Sequence, residues 1–216
     1  MADAFIRRGI LDQEETIVIS ANQTGVASIF IQEHLAQANS DCRKVPVIFV
    51  GYSRGGGTAQ DMAHSPYIAQ LVSSIDLVVT IAPVPAFHMG SVSSQKSPIV
   101  KRHINFISEQ ANAAWKDIWP DWPDPILGFP EINIDGANEN VLIPRTSHFT
   151  VVDEATRLYK REICEWSPSP DINCPAAGGG RIWHWVADRQ LNSSTVWNKV
   201  ETGIREVINK NDTSSI

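Results

Sequence analysis

Short apolar runs alternate along the chain with stretches whose apolar residues recur at helical spacing. Five runs predict strands, at Thr16–Ser20, Val45–Val50, Leu77–Ile81, Ile104–Ile107 and Ile132–Ile134. The intervening pattern predicts helices over Val26–Asn39 and Gly56–Ala63, and a helix or turn over Pro66–Ser74. Strands that alternate with helices predict an α/β fold, with a mostly parallel sheet of about five strands flanked by helices.

The two ends of the chain add less regular elements to this predicted core. Met1–Leu11 is consistent with a short helix or a leading arm, and Thr150–Cys164 has a helical pattern. Ile182–Asp188 predicts a short strand or an aromatic plug, and Thr195–Lys210 a closing helix that packs on the sheet. We expect a single domain over residues 1–216, with an aromatic Trp/Pro insertion at 112–130 and a Pro/Gly-rich excursion at 165–181.

Composition and charge exclude some classes of protein. An apolar content of 43% in 216 residues is enough for a full core, and a net charge of −6 argues against a nucleic-acid partner. The sequence has neither a signal peptide nor an apolar run of bilayer length, so we expect a cytoplasmic protein without an integral membrane segment. Secretion is the alternative if a leader precedes Met1. Cys164 and Cys174 either form a disulfide in an oxidising compartment or remain thiols, and Cys42 is left single.

The central motif is the sequence Gly51-Tyr52-Ser53-Arg54-Gly55, which joins a predicted buried strand to a predicted helix. A G-x-S-x-G sequence in this context predicts a nucleophile elbow, a tight turn that exposes a serine hydroxyl above the sheet. Side chains two residues before and after the serine would collide in such a turn, which explains Gly51 and Gly55. Gly57 is expected to leave room for close helix–sheet packing, and the Arg54 amide begins a helix that favours an oxyanion.

With this elbow the chain resembles the α/β-hydrolase superfamily, and GYSRGGG is most similar to lipase-like members. The resemblance covers roughly residues 16–160 in element order. It implies a serine hydrolase that cleaves carboxylic esters through an acyl-enzyme, with a small acyl ester or lipid as substrate. The earlier antiparallel strands and the HGGG-type loop of the superfamily are not visible in the sequence. Either the chain is a shortened hydrolase core or its N-terminal part is missing.

The resemblance fixes the chain order of the triad as serine, acid, histidine. His148 lies after the last predicted strand and is the expected general base, with His88 as the alternative. Glu109 directly follows a predicted strand and is the expected acid. Similar sequences often carry an acidic residue at the position of Ala82, so the alanine excludes that position as the source of the acid. The remaining candidates for the acid are Asp117, Asp121, Asp124 and Asp135. A Ser–His pair oriented by a backbone carbonyl also stays open.

Residues around the serine supply candidates for the oxyanion hole and for substrate binding. The first oxyanion donor is the Arg54 amide, and Gln23 or Thr24 in the loop before a helix is the candidate for the second. That loop is equally consistent with an ordinary turn that caps the helix. Tyr52 and Arg54 flank the nucleophile, and we expect the Arg54 side chain to be structural. The aromatic insertion, with Trp115, Trp119, Trp122 and Phe129, suits an acyl-binding wall or a satellite core.

Two further functions are compatible with the sequence. A hydrolase fold that has lost catalysis would serve as a binding module, because fold alone does not fix function. The second is hydrolysis of an amide or thioester in place of an ester. The sequence contains no Rossmann glycine pattern, P-loop or spaced metal-ligand cluster, so we expect neither a metal nor a cofactor. It does not predict an oligomeric state.

Overall fold

The computed structural model describes residues 1–41, 43–84, 93–108, 132–144, 158–164, 181–187 and 195–213. The first half of the chain contains α1 (Ala2–Arg7), α2 (Thr24–Ser40), β1 (Ile48–Tyr52), α3 (Arg54–His64), α4 (Pro66–Leu71) and β2 (Ile75–Ile81). The second half contains β3 (Val100–Ser108), β4 (Glu139–Ile143), β5 (Leu158–Cys164), β6 (Arg181–Ala187) and α5 (Thr195–Thr213). Among these described helices, none combines the length and the apolar character needed to cross a membrane.

The main sheet has four parallel strands in the order β1-β2-β3-β4. Tyr52 pairs with Ile81, Ile81 with Phe106, and Phe106 with Val141, so the four strands end close to one level. Because all four are parallel, their carboxyl ends form a single sheet edge. β5 and β6 form a separate antiparallel ribbon whose register runs from Leu158 opposite Ala187 to Cys164 opposite Arg181.

Both faces of the sheet are packed, as a parallel sheet requires. One face carries alternate residues of β2 and β3 and packs against α5, where a Cβ at Gly203 would lie 3.3 Å from Leu77 Cδ2. The other face packs against α3 and α4 through Val78, Met62 and Ile68. The α/β fold with a parallel sheet between helices is therefore confirmed, with four strands in the described part of the chain.

An ion-pair cluster joins α5 to β3 and β4 of the main sheet. Arg102 on β3 binds Glu139 on β4 at 3.0 Å and also binds Glu206 on α5. The other carboxylate oxygen of Glu139 accepts a bond from Lys199 at 2.6 Å. Hydrogen bonds from Lys199 and Arg102 lower the pKa of Glu139 below its usual value. The cluster thus links β3, β4 and α5 through charge as well as packing.

A buried network of polar side chains crosses the sheet on the α3 side. Thr80 Oγ1 donates to Asn105 Oδ1 at 2.7 Å and lies 3.0 Å from His103 Nε2. Asn105 Nδ2 donates in turn to Asn140 Oδ1 and to the carbonyl of Ile132, both at 2.9 Å. Because the single hydroxyl hydrogen of Thr80 is used by Asn105, His103 must carry its proton on Nε2. Its Nδ1 is then an acceptor, buried without a donor among the described residues.

Two of the five predicted strands are wrong. Thr16–Ser20 forms no strand, although it lies among the described residues. Its ends make turn bonds instead, from Thr16 N–H to the Gln13 carbonyl and from Ser20 N–H to Gln23 Oε1, and Val18 is 72% exposed. Ile132–Ile134 is also not a strand, because the side chains of Asn105 and Asn140 bind its backbone in place of a ladder.

The remaining elements agree with the predictions, except that their bounds differ and that one predicted helix is a strand. The last strand of the main sheet is Glu139–Ile143, within a segment that was expected to be a loop. The helical pattern of Thr150–Cys164 is wrong for residues 158–164, which form β5 because every residue pairs with β6. The predicted strand near Ile182–Asp188 is confirmed as β6. The insertion at 112–130 and residues 165–180 of the excursion lie outside the described residues.

The buried His103 predicts a loss of stability in acid. Burial, with the positive charges of Lys96 and His64, lowers its pKa from 6.5 to about 4. The folded state therefore binds this proton less readily than the unfolded state, and its contribution to stability is lost as pH falls from 6.5 to about 4. We expect a loss of about 3 kcal/mol across this range. Urea unfolding at a series of pH values measures it.

The control for this prediction is His103→Gln, which keeps an N–H donor for Thr80 but cannot be protonated. Its free energy of unfolding should vary less between pH 6.5 and 4 than that of the wild type. Since the other titrating groups are common to both proteins, the difference between their plots of unfolding free energy against pH gives the contribution of His103. Parallel curves would contradict the assignment.

Candidate active site

Ser53 lies at the turn between β1 and α3, at the carboxyl edge of the sheet. Its backbone dihedral angles are φ 57° and ψ −124°, a region that residues with a side chain seldom occupy. Such a conformation costs on the order of 1–3 kcal/mol and persists only where its surroundings hold it. It is the conformation expected of a nucleophile elbow, in which the turn lifts the serine side chain above the sheet.

Hydrogen bonds hold the backbone of Ser53 on both sides. Its N–H donates to the Ile81 carbonyl at 2.9 Å, which joins the turn to the end of β2. Its carbonyl accepts from the N–H of Gly57 and from the N–H of Val84, each at 3.2 Å. The segment Ile81–Val84 thus holds the turn from the side of the neighbouring strand. This role was not predicted, although the Ala82-Pro83 pair directly after a buried strand is a signal of a special turn there.

The glycines around Ser53 have different steric roles. A Cβ at Gly51 would lie 2.1 Å from the carbonyl oxygen of Gly55, so a side chain at position 51 cannot fit without movement of the backbone. A Cβ at Gly55 would meet nothing within 4 Å, so the collision expected from that side is absent. The close approach of α3 to the sheet occurs at Gly56, where a Cβ would lie 3.1 Å from Pro83 Cα.

Ala82 follows β2 in a second unusual conformation beside the elbow. Its φ is 46°, its side chain is fully buried, and its N–H donates to the carbonyl of Phe106 at 2.8 Å. Each of the first two strands is therefore followed by a residue with positive φ, Ser53 after β1 and Ala82 after β2. The hydrogen bonds of the Ser53 backbone join these two turns, so Ile81–Val84 forms a frame on one side of the serine.

Residues predicted to surround the nucleophile lie at the same edge. Arg54 and Gly55 begin α3, and the N–H groups of a first helical turn have no acceptor within the helix. The helix dipole adds a positive potential at this point. Tyr52 is the last residue of β1 and is 37% exposed. The first turn of α3 therefore provides the kind of donor that an oxyanion requires.

The loop expected to give a second donor lies beside α3. The hydroxyl of Thr58 on α3 donates to the Ala21 carbonyl at 2.9 Å, which fixes this loop against the helix. Gln23 uses its N–H to bind the Ser20 carbonyl, and its Oε1 accepts from the N–H and hydroxyl of Ser20. Its backbone N–H is therefore already engaged, which leaves its side-chain amide or Thr24 for the oxyanion role. Thr24 is the first residue of α2.

The expected base and acid, His148 and Glu109, lie outside the described residues. Their neighbours in the chain are nevertheless described. Glu109 directly follows Ser108, the last residue of β3, and His148 comes five residues after Ile143, the last residue of β4. The remaining site candidates outside the described part of the chain are His88, Asp117, Asp121, Asp124, Trp115, Trp119, Trp122 and Phe129.

Asp135, another candidate for the acid, lies before β4 and not after the last strand as expected. It forms a bridge with Gln95, whose side chain donates to Asp135 Oδ2 at 2.9 Å. The histidines on the helices also have structural partners. His34 binds the carbonyls of Phe30 and Glu14, and His64 binds the carbonyl of Gln60.

Comparisons with known proteins identify no relative of this chain. No family model matches the chain, and no curated protein or solved structure matches it. The described residues contain no cluster of three or more His, Cys, Asp or Glu side chains that could hold a metal ion. The chemistry of the site therefore has to be argued from its own residues.

The glycine contacts predict that position 51 tolerates no side chain. Gly51→Ala should destabilise the protein by about 3 kcal/mol or more, because its Cβ would overlap the Gly55 backbone. Gly55→Ala is the matched control and should change stability by less than about 1 kcal/mol, since its Cβ meets nothing. Urea unfolding of both variants measures the difference. Equal effects at the two positions would contradict the close approach.

Proposed function

We propose that this chain is a serine hydrolase that cleaves carboxylic esters through an acyl-enzyme. The observation that carries the proposal is the backbone of Ser53, which has a positive φ between a parallel strand and a helix N-terminus. That combination is what a nucleophile elbow needs. The four-stranded parallel sheet is, in this proposal, the core of a shortened α/β-hydrolase fold.

The order of the strands supports the assignment of the triad. Ser53 follows β1, Glu109 follows β3 directly, and His148 follows β4, all after the carboxyl ends of parallel strands. Neighbouring strands lie about 4.8 Å apart, so β1 and β3 are separated by roughly 10 Å. An imidazole that bonds a serine on one side and a carboxylate on the other suits a gap of this size. Because β4 ends at Ile143, fewer residues separate the sheet edge from His148 than if the last strand had ended at Ile134 as predicted.

In the proposed mechanism, His148 takes the proton of Ser53 as Oγ attacks the acyl carbon. Glu109 orients the imidazole and stabilises its charged form. The Arg54 N–H stabilises the negative oxygen of the tetrahedral intermediate, with a second donor from Gln23 or Thr24. The alcohol leaves with the proton from His148, and water then releases the acid from Ser53. Trp115 and Trp119 are proposed to contact the acyl chain, with Tyr52 beside the nucleophile.

Ester hydrolysis by single-residue variants tests the proposal. We expect the wild type to cleave p-nitrophenyl esters, with kcat/KM reduced by about 10³-fold or more in Ser53→Ala and His148→Ala because the nucleophile or its base is removed. Glu109→Gln should lose about 10³-fold or more, since an amide in place of the carboxylate favours the imidazole tautomer whose nitrogen toward Ser53 is protonated and cannot act as the base. A series from acetate to palmitate gives the preferred acyl length.

Ser73→Ala is the matched control, because Ser73 is an exposed serine in the turn between α4 and β2. It should keep the wild-type rate. An inert wild type, or a Ser53→Ala variant with an unchanged rate, would contradict the proposal and favour a non-catalytic binding module. Cleavage of amide or thioester substrates in place of esters would keep Ser53 as the nucleophile and change only the substrate class.

A further inference from the structure

Thr58 connects α3, the helix that follows Ser53, to the loop that precedes α2. Thr58 is only 5% exposed, and its hydroxyl donates to the carbonyl of Ala21 at 2.9 Å. The two residues are 37 positions apart in the chain. Thr58 comes five residues after Ser53, which corresponds to about 7.5 Å along a helix. The bond therefore joins the first half of α3 to a loop from a distant part of the sequence.

The acceptor of the Thr58 hydroxyl is not the one that a helix offers by default. A serine or threonine inside a helix can donate to the carbonyl four residues earlier. Ser28 on α2 does this and binds the Thr24 carbonyl at 3.0 Å. Thr58 instead uses its single hydroxyl hydrogen to bind a different element of the fold. A buried hydroxyl used in this way sets the distance between α3 and the loop.

The loop that Thr58 binds is closed by its own hydrogen bonds. The Gln23 N–H donates to the Ser20 carbonyl at 3.0 Å, and Gln23 Oε1 accepts from the N–H and the hydroxyl of Ser20, both at 2.9 Å. Residues 20–23 therefore form a compact turn whose two ends are bonded to each other. Because Ala21 lies inside this turn, the bond from Thr58 fixes the turn as a unit against α3.

Packing of α2 holds the same loop from its other end. Ala27 on α2 belongs to the buried apolar cluster that contains Met62 and Ala63 of α3. These two residues come four and five positions after Thr58 along α3, and they are farther from Ser53 in the helix. Of the two contacts, the bond from Thr58 therefore lies nearer to the proposed nucleophile.

We propose that Thr58 is a positioning residue for the oxyanion hole. This role rests on the proposed function, in which Gln23 or Thr24 of the loop supplies the second donor. Thr58 acts through Ala21 and keeps the second donor at a fixed distance from the first, the Arg54 N–H. Since Thr58 and Arg54 both belong to α3, one helix sets the positions of both donors. A misplacement of about 1 Å can lower a rate by roughly 10²-fold.

The kinetics of Thr58→Val with a p-nitrophenyl ester test the proposal. Valine is close to threonine in shape but lacks the hydroxyl, so the Ala21 carbonyl loses this donor. We expect kcat to fall about 10- to 100-fold and KM to change by less than about threefold, because the oxyanion forms only after attack on the acyl carbon. The pH dependence of kcat/KM should match that of the wild type, since the general base is unchanged.

Two variants control for effects other than the bond to Ala21. Thr58→Ser keeps the hydroxyl and should retain kcat within about threefold of the wild type. Ser28→Ala is the matched control, because it removes a helix hydroxyl that donates to a carbonyl of its own helix, and it should keep wild-type kcat and KM. If Thr58→Val fails to fold, Thr58→Ala removes the same hydroxyl with a better helix former and should show the same loss of kcat.

The outcomes separate the role of Thr58 from the proposed function itself. An inert wild type would contradict ester hydrolysis, and the role of Thr58 would fall with it. An active wild type whose Thr58→Val variant keeps its kcat, or changes only in KM, would overturn the role of Thr58 alone. A Thr58→Ser variant as slow as Thr58→Val would do the same, as would an equal loss in Ser28→Ala, because the effect would then not come from the hydroxyl bond to Ala21.

Discussion

The close approach of two backbones at the end of β1 determines the rest of the site. Gly51 lies directly against the carbonyl of Gly55, and Gly56 lies against Pro83. Because glycines stand at these two positions, the chain can reverse within Tyr52, Ser53 and Arg54, where Ser53 has a positive φ. The conformation is unfavourable by itself, so the bonds to Ile81, Gly57 and Val84 have to offset its cost. These bonds fix the backbone conformation of the serine on both sides of the turn.

The sheet that supports this turn depends on polar as well as apolar contacts. Thr80, Asn105 and Asn140 link three neighbouring strands in the interior, where hydrogen bonds are strong and unpaired groups are costly. Asn140 also binds both the N–H and the carbonyl of Ile134. The network therefore fixes the segment before β4 as well as the strand itself. Through β4 it also sets where the chain leaves the sheet on its way to His148.

The sequence was sufficient for the strand, tight turn and helix at Ser53, for the parallel pairing of the main strands and for most helices, because each depends on a local pattern. The run from Val45 to Val50 followed by G-x-S-x-G predicts a strand, a turn and a helix without further information. The sequence was insufficient where side chains that are distant along the chain bind a segment's backbone in place of the hydrogen bonds of a neighbouring strand. Ile132–Ile134 has the composition of a strand, but Asn105 and Asn140 bind its backbone, and no local signal reveals this. The alternation of His103 and Asn105 with Ile104 and Phe106 was the one visible trace of the polar network.

The prediction of a strand at Thr16–Ser20 was wrong for a different reason. Only some of its apolar residues pack on the core. Ile19 packs on the cluster beneath α3, whereas Val18 is largely exposed. The candidate site, too, was predictable only in part. Position and conformation were predictable at Ser53, where the motif is contiguous. The frame of Ile81–Val84 and the engaged N–H of Gln23 were not, because both depend on tertiary hydrogen bonds.

Covalent labelling with a fluorophosphonate tests the central claim, that the frame around Ser53 makes this serine a nucleophile. The reagent forms a stable phosphonyl ester with a serine that has been activated by a base, and peptide mass spectrometry locates it. We predict a single adduct on the peptide that contains Ser53 in the native protein. The same protein unfolded in urea should give none. Absence of an adduct in the native protein, or an adduct on a different serine, would contradict the account.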